Sequence, residues 1–187
     1  MNALRSRPFV PLDAFLELDS EPGTRLEWCA GFVHAMSGGS PAHSRLGARV
    51  IVLLSALEGE DCTVFDANAD LWVEAAQFYG QADASVVCGA VHTHKVTKKE
   101  KPLGEAVTNP VIVVEVLSPS SEVRDRGEKF AAYKQIPSLR EYVLVAQDER
   151  RVEIRRRGEH GWSSEIAVAG EAFLLHGREV LVDAIYR

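Results

Sequence analysis

Residues 111–117 read Val-Ile-Val-Val-Glu-Val-Leu, an almost unbroken β-branched apolar run with a single acid inside it. Such a run is the pattern of a strand covered on both faces, because a solvent-facing side would carry alternate polar residues. Ser118-Pro119-Ser120-Ser121 breaks the strand and caps a helix predicted to run to about Gln135, ahead of Pro137. Residues 141–146, Glu-Tyr-Val-Leu-Val-Ala, read as a second buried strand. Residues 152–156 and 162–168 then form a hairpin across residues 158–161. Strand, helix and strand in this order, flanked by antiparallel hairpins, predict an α/β (α+β) fold: a mixed sheet with helices packed on it.

Upstream, residues 11–16 read as a short helix, and residues 26–36 as a strand or hairpin with Gly31 at a turn or bulge. Ser40 is a natural N-cap with Pro41 at the first helical position. Leu46, Val50, Leu53, Leu54 and Leu57 recur at helical spacing, and Gly59 follows as a stop. Three short strands are predicted at residues 62–65, 71–74 and 83–88. Residues 91–109 are polar and lysine-rich, which predicts an exposed loop long enough to suggest function. The C-terminus is weakly patterned. No repeat or composition break marks a second domain, so 1–187 is expected to be one domain, with its core over about 24–157.

The net charge of −6 opposes coating of nucleic acid by bulk charge, while leaving room for a local basic patch. No apolar run approaches the roughly 18 residues of a membrane span. The N-terminus lacks the apolar stretch of a secretion signal, so a cytoplasmic location is expected, with no membrane partner. Cys29, Cys62 and Cys88 are scattered and odd in number, which predicts reduced thiols and argues against structural zinc. There is no glycine-rich phosphate loop, no G-x-S-x-G elbow and no Cys/His dyad spacing.

The chemical anomaly is Glu115. A charge inside a doubly buried strand costs several kcal/mol unless it is paired or bound to metal. Alternation puts it on one face with Val111, Val113 and Leu117. A buried arginine or helix N-terminal amides would satisfy it equally well. Asp83 stands where a polar loop turns into an apolar strand, a position that a plain turn residue also occupies. Together the two carboxylates form a ligand pair for a hard cation such as Mg²⁺ or Mn²⁺, which takes oxygen ligands and keeps several waters. Asp125, Lys129 and Tyr133 are spaced by four along one side of the following helix. Phe130 and Tyr133 belong to its buried stripe, which predicts Lys129 at the border of core and solvent, within reach of Glu115.

Residues 111–145, preceded by residues 79–87 (Tyr-Gly-Gln-Ala-Asp-Ala-Ser-Val-Val), closely resemble the Uma-type family of bacterial restriction-endonuclease-like proteins, of the PD-(D/E)XK nuclease superfold. Gln81-Ala82-Asp83 is similar to the family's Q-P-D strand start, and residues 115–120 to its E-V-L-S-P-S. Asp125, Lys129 and Tyr133 match D-x-x-x-K-x-x-x-Y, and residues 141–145 match its P-E-Y-W-L-V strand. Glu27 with Gly31, and residues 40–43, match its N-terminal pattern. The resemblance spans roughly residues 24–157. It implies metal ligation by Asp83 and Glu115, with the metal orienting a water and neutralising a scissile phosphate. In the parent superfold the lysine lies two residues after the glutamate, where this chain has Leu117, so Lys129 supplies it from the helix. Glu27 is implied as a further acid and His43 as a phosphate contact, with Asp125 and Tyr133 in support. Ala82 replaces the family's proline, and residues 29–32 lack one further acid.

The expected partner is therefore DNA, cut by a metal-dependent phosphodiesterase, with a homodimer compatible with a two-stranded target. Lys95, Lys98, Lys99 and Lys101 are candidate backbone contacts, and Arg155-Arg156-Arg157 forms a second basic patch, although solvated runs of this kind are common. His92 and His94 lack a third ligand in sequence. The alternative is a non-catalytic nucleic-acid-binding or interaction protein on the same fold.

Overall fold

The computed structural model describes residues 8–37, 39–57 and 61–187. Its axis is β9 (Ile112–Leu117), all six residues of which are buried. β9 pairs in parallel with β10 (Glu141–Ala146) and antiparallel with β6 (Ala84–Cys88). The sheet is completed by β11 (Arg151–Gly158) and β12 (Gly161–Val168) beyond β10, and by β3 (Cys62–Asp66) beyond β6. A second six-stranded sheet has the order β2 (Phe32–Ser37), β1 (Thr24–Cys29), β5 (Phe78–Gln81), β4 (Asp70–Val73), β8 (Lys101–Val107), β7 (Thr93–Lys98). The chain ends in a hairpin, β13 (Ala172–Leu175) and β14 (Arg178–Leu181), and α5 (Val182–Tyr186).

The two faces of β9 serve different cores. Ile112, Val114 and Val116 pack against Leu46, Val50 and Leu54 of α2 (Pro41–Leu57) and against Phe173, Leu175 and Ile185 from the C-terminal elements. Val113 and Leu117 pack against Tyr133 and Ile136 on one side and against Leu71, Val73 and Phe78 of the second sheet. Glu115 shares this second face by alternation. The first helix, α1 (Leu12–Phe15), buries Phe15 against Trp28, Trp72 and Tyr79.

The predicted long helix is present as α2, with the Ser40 hydroxyl accepting the His43 backbone N–H at 3.2 Å as an N-cap does. Gly59, expected to stop it, lies outside the described residues. The helix after β9 runs as α3 (Glu122–Arg124), a π turn over Asp125–Lys129, and α4 (Phe130–Tyr133). π turns are rare and concentrate at functional sites, because the extra residue per turn re-aims side chains.

Three sequence expectations need correction. The loop expected over residues 91–109 is the antiparallel hairpin β7–β8, with Lys99 and Glu100 in its turn at positive φ. Its alternation is real but carried by His94, Val96 and Lys98, which half-bury without being uniformly apolar. The weakly patterned C-terminus forms its own hairpin and helix, and Phe173, Leu175 and Ile185 enter the core. Cys62 and Cys88 are disulfide-bonded rather than separate thiols, while Cys29 is free. The antiparallel register of β3 and β6 puts the two cysteines directly opposite one another, which a sequence separation of 26 conceals.

Candidate functional site

Register brings the two acids together. Ala84 pairs with Val114 and Ser85 with Val113, so the next step along this antiparallel ladder sets Asp83 opposite Glu115. Opposed residues of an antiparallel pair project from the same face. The Val116 backbone N–H donates to Asp83 Oδ2 at 2.7 Å, and His43 Nε2 donates to Asp83 Oδ1 at 2.9 Å. Both oxygens are thereby oriented, one by the neighbour of Glu115 and one by the first turn of α2.

Lys129 is only 1% exposed, not at the border of core and solvent. It projects from the π turn into a cage of acids drawn from three elements. Its Nζ lies 2.6 Å from Glu115 Oε1, 3.2 Å from Glu27 Oε1 and 3.7 Å from Asp125 Oδ1, and it donates to the Gln81 carbonyl at 2.8 Å. Full burial of an ammonium is tolerated only with such partners. The Glu115 contact is the shortest of the three ion pairs.

Glu27 reaches the cage from β1, where it is fully buried. It is ion-paired to Arg124 and accepts the Gln81 backbone N–H at 3.2 Å. Continuing the β1–β5 register from Trp28 and Tyr79 sets Gly80 opposite Glu27. A Cβ at Gly80 would lie 3.0 Å from the Glu27 carboxyl carbon and 2.7 Å from the Phe78 ring, so glycine is what lets the carboxylate lie flat on the strand. Tyr133 is wholly buried, its hydroxyl without a hydrogen-bond partner among the described residues.

The electrostatics follow from this arrangement. Burial pushes the Glu115 carboxyl well above the usual carboxylate range, with Lys129 opposing and Asp125 and Asp83 adding to the rise. Burial also raises Asp125, against the pull of Lys129. For Glu27 burial is outweighed by Lys129, Arg124 and the Gln81 amide, which hold it below its ordinary value. Asp83 is likewise held down, burial being overcome by His43 and the Val116 amide. The hydrogen bond to Asp83 raises His43 against its own burial. Lys129 is driven well above an ordinary lysine because Glu115, Glu27 and Asp125 outweigh its desolvation.

Asp83, Glu115, Asp125, Lys129 and His43 line one cavity of about 1090 Å³, open to solvent, together with Arg25 and Arg124, while Glu27 lies behind its lining. The candidate lysines lie elsewhere, on the β7–β8 hairpin. Lys98 is paired with Glu17 at 2.7 Å and Asp13 at 3.6 Å, Lys95 with Glu105 at 3.5 Å, and Lys99 and Lys101 are exposed. Arg155, Arg156 and Arg157 are spent on the fold, on Glu153, on Glu141 and Glu165, and on the Lys134 and Ile136 carbonyls. His94 stacks on Trp72 at 4.8 Å rather than joining His92 at a metal. Arg124 and the Gln81 carbonyl were missed from sequence; nothing local marks the pairing of Arg124 with Glu27, 97 residues away.

A family model for Uma2, described as "Putative restriction endonuclease", matches residues 12–181. The chain belongs to the Uma2 family. Two uncharacterized proteins of Synechocystis sp. are similar to it. One, slr1290, is 31% identical, with coverage of 97% of this chain and 95% of its own. The other, sll1609, is 30% identical over 79% and 81%. The crystal structure of "a putative nuclease belonging to DUF820" from Anabaena variabilis ATCC 29413 superposes with a TM-score of 0.73 at 14% identity, covering 95% of this chain and 97% of that one. At that identity the likeness establishes the fold: this Uma2 chain has the mixed α+β, nuclease-like architecture. Among the described residues no helix is long and apolar enough to cross a membrane.

Proposed function

We propose that this Uma2 chain is a Mg²⁺- or Mn²⁺-dependent phosphodiesterase acting on DNA. The observation that carries the reading is the convergence of Asp83, Glu115 and Lys129 on the lining of one open cavity. The donors fit a hard cation: two carboxylate side chains, brought face to face where β6 meets β9, offer the oxygen ligands such an ion takes. Asp83 and Glu115 would hold the ion. A divalent ion supplies Lewis-acid stabilisation of the phosphodiester and an acidified water.

The chain's own residues do the rest. His43 and the Val116 amide hold Asp83 in one orientation. Lys129, kept cationic by its acids, orients Glu115 and adds fixed positive charge where a phosphate would gain negative charge. Glu27, Asp125 and the Gln81 carbonyl keep the ammonium in place. Arg25, which also lines the cavity, suits a DNA phosphate, whereas Arg124 is held by Glu27 and Glu128. A homodimer would match the two strands of a duplex.

The test is cleavage of plasmid, single-stranded and branched DNA with either metal, comparing wild type with Glu115→Ala and Lys129→Ala. Metal-dependent cutting lost in both variants is expected. Absence of cutting on every substrate, or cutting that survives both changes, would sink the reading. A second reading, a non-catalytic nucleic-acid-binding or interaction protein, is favoured by the completeness of the Lys129 cage, which satisfies its ammonium without any ion. It predicts thermal stability independent of Mn²⁺.

A further inference from the structure

We infer that Cys62, Cys88 and His176 form a second metal site, for a borderline-soft ion such as Zn²⁺, which becomes available when the Cys62–Cys88 disulfide is reduced. The three donors come from separate parts of the chain: the start of β3, the end of β6 and the β13–β14 turn. One ligand atom from each lies within 4.8 Å of the other two, and His176 Nε2 is 3.9 Å from Cys88 Sγ. Zinc bonds of about 2.3 Å to sulfur and 2.0–2.1 Å to nitrogen, in tetrahedral geometry, set the ligand atoms roughly 3.5–3.8 Å apart. Reduction frees both sulfurs to turn about their side-chain torsions toward that spacing.

The histidine is placed rather than incidental. His176 occupies a left-handed conformation (φ 50°) before Gly177 (φ 74°). Its backbone N–H donates to Glu141 Oε2 at 2.8 Å, and Glu141 is itself paired with Arg156. The turn is thus anchored to β10 while the imidazole overhangs Cys88. The cysteines are half-buried and the histidine exposed, which leaves a fourth position for water. Two thiolates and an imidazole select zinc-like ions over Mg²⁺, the reverse of the carboxylate pair. Asp83 lies five residues before Cys88, about 16 Å along the strand, so the two sites are separate.

The chemistry balances with a dithiol reductant. Dithiothreitol gives two electrons and two protons to the Sγ–Sγ bond, forming two thiols and its own cyclic disulfide. Binding of Zn²⁺ then displaces the two thiol protons to solvent while neutral His176 donates its lone pair.

The experiment uses the full chain, reduced and freed of reductant without air, titrated with Co²⁺ as a spectroscopic stand-in for Zn²⁺. One equivalent should produce thiolate-to-cobalt charge-transfer absorption, absent from the oxidised chain and from Cys62→Ser, and weakened at least tenfold in affinity by His176→Ala. No such band in the reduced wild type, or a titration unchanged by His176→Ala, overturns the proposal. A second measurement does not depend on variants folding. Zn²⁺ should protect Cys62 and Cys88 of the reduced wild type from iodoacetamide while leaving Cys29 unaffected, read by peptide mass. Equal alkylation of all three with and without Zn²⁺ rejects the site.

Discussion

The Val116 backbone N–H donates a 2.7 Å hydrogen bond to Asp83 Oδ2, tying the acid that opens β6 to the residue beside Glu115. The two carboxylates are therefore fixed relative to one another by a sheet register, not by a flexible loop. A divalent ion that binds only this native arrangement stabilises it by about 2.7 kcal/mol at a hundredfold excess over Kd. Mn²⁺ is expected to raise the melting temperature of the wild type, and this shift should vanish in Asp83→Asn and in Glu115→Gln. Differential scanning fluorimetry across a Mn²⁺ series checks it. An equal shift in both variants would remove the carboxylate pair from the metal site.

Lys129 answers three buried carboxylates at once. Lys129→Met keeps most of the side-chain volume but leaves Glu27, Glu115 and Asp125 facing one another. Breaking a buried ion pair from one side costs about 3–5 kcal/mol, and that loss is expected in urea unfolding near neutral pH. Adding Glu115→Gln to Lys129→Met should return part of it, because one stranded charge is then gone.

The acids of the cage make opposite pH contributions. Glu27 has a folded pKa below its ordinary 4.5, so the stability it contributes is present above that value and is lost as pH falls through the lower, folded one. Glu115 has a folded pKa raised well above 4.5, so its contribution is present below 4.5 and is lost as pH rises through the folded value. Glu27→Gln should accordingly flatten the acid side of the melting-temperature profile, and Glu115→Gln the fall on its upper side. Melting curves from about pH 3 to pH 8 test both. Identical profile shapes in the two variants would contradict the assignment.

What was legible in the sequence was whatever a strong local pattern carries. The run at residues 111–117 identifies β9 and makes Glu115 conspicuous through the cost of its burial. The four-residue spacing of Asp125 and Lys129 placed them on one side of a helix. It did not disclose the π turn, which has no distinct composition and which carries Lys129 fully inside. Partnerships set by tertiary structure were equally hidden: Cys62 with Cys88 depends on which strands lie side by side, and Glu27 with Arg124 on where α3 lies against β1. The β7–β8 hairpin was hidden for another reason: two of the three inward positions of β7, His94 and Lys98, are polar.

Gly80 gives a local test of how closely the cage is built. Its Cβ position is blocked by the Phe78 ring at 2.7 Å and the Glu27 carboxyl carbon at 3.0 Å. Gly80→Ala forces one of them to move, and overpacking of this kind costs about 1–3 kcal/mol. Phe78 is wholly buried in the core around Tyr133, whereas Glu27 moves only by loosening its contacts with Lys129 and Arg124. The two changes should therefore be coupled. In a Glu27→Ala background the carboxylate is absent, and Gly80→Ala is expected to cost measurably less than in the wild type. A double-mutant cycle by urea unfolding reads this directly. Strict additivity would mean that Phe78 alone bears the strain and that Glu27 does not depend on the glycine opposite it.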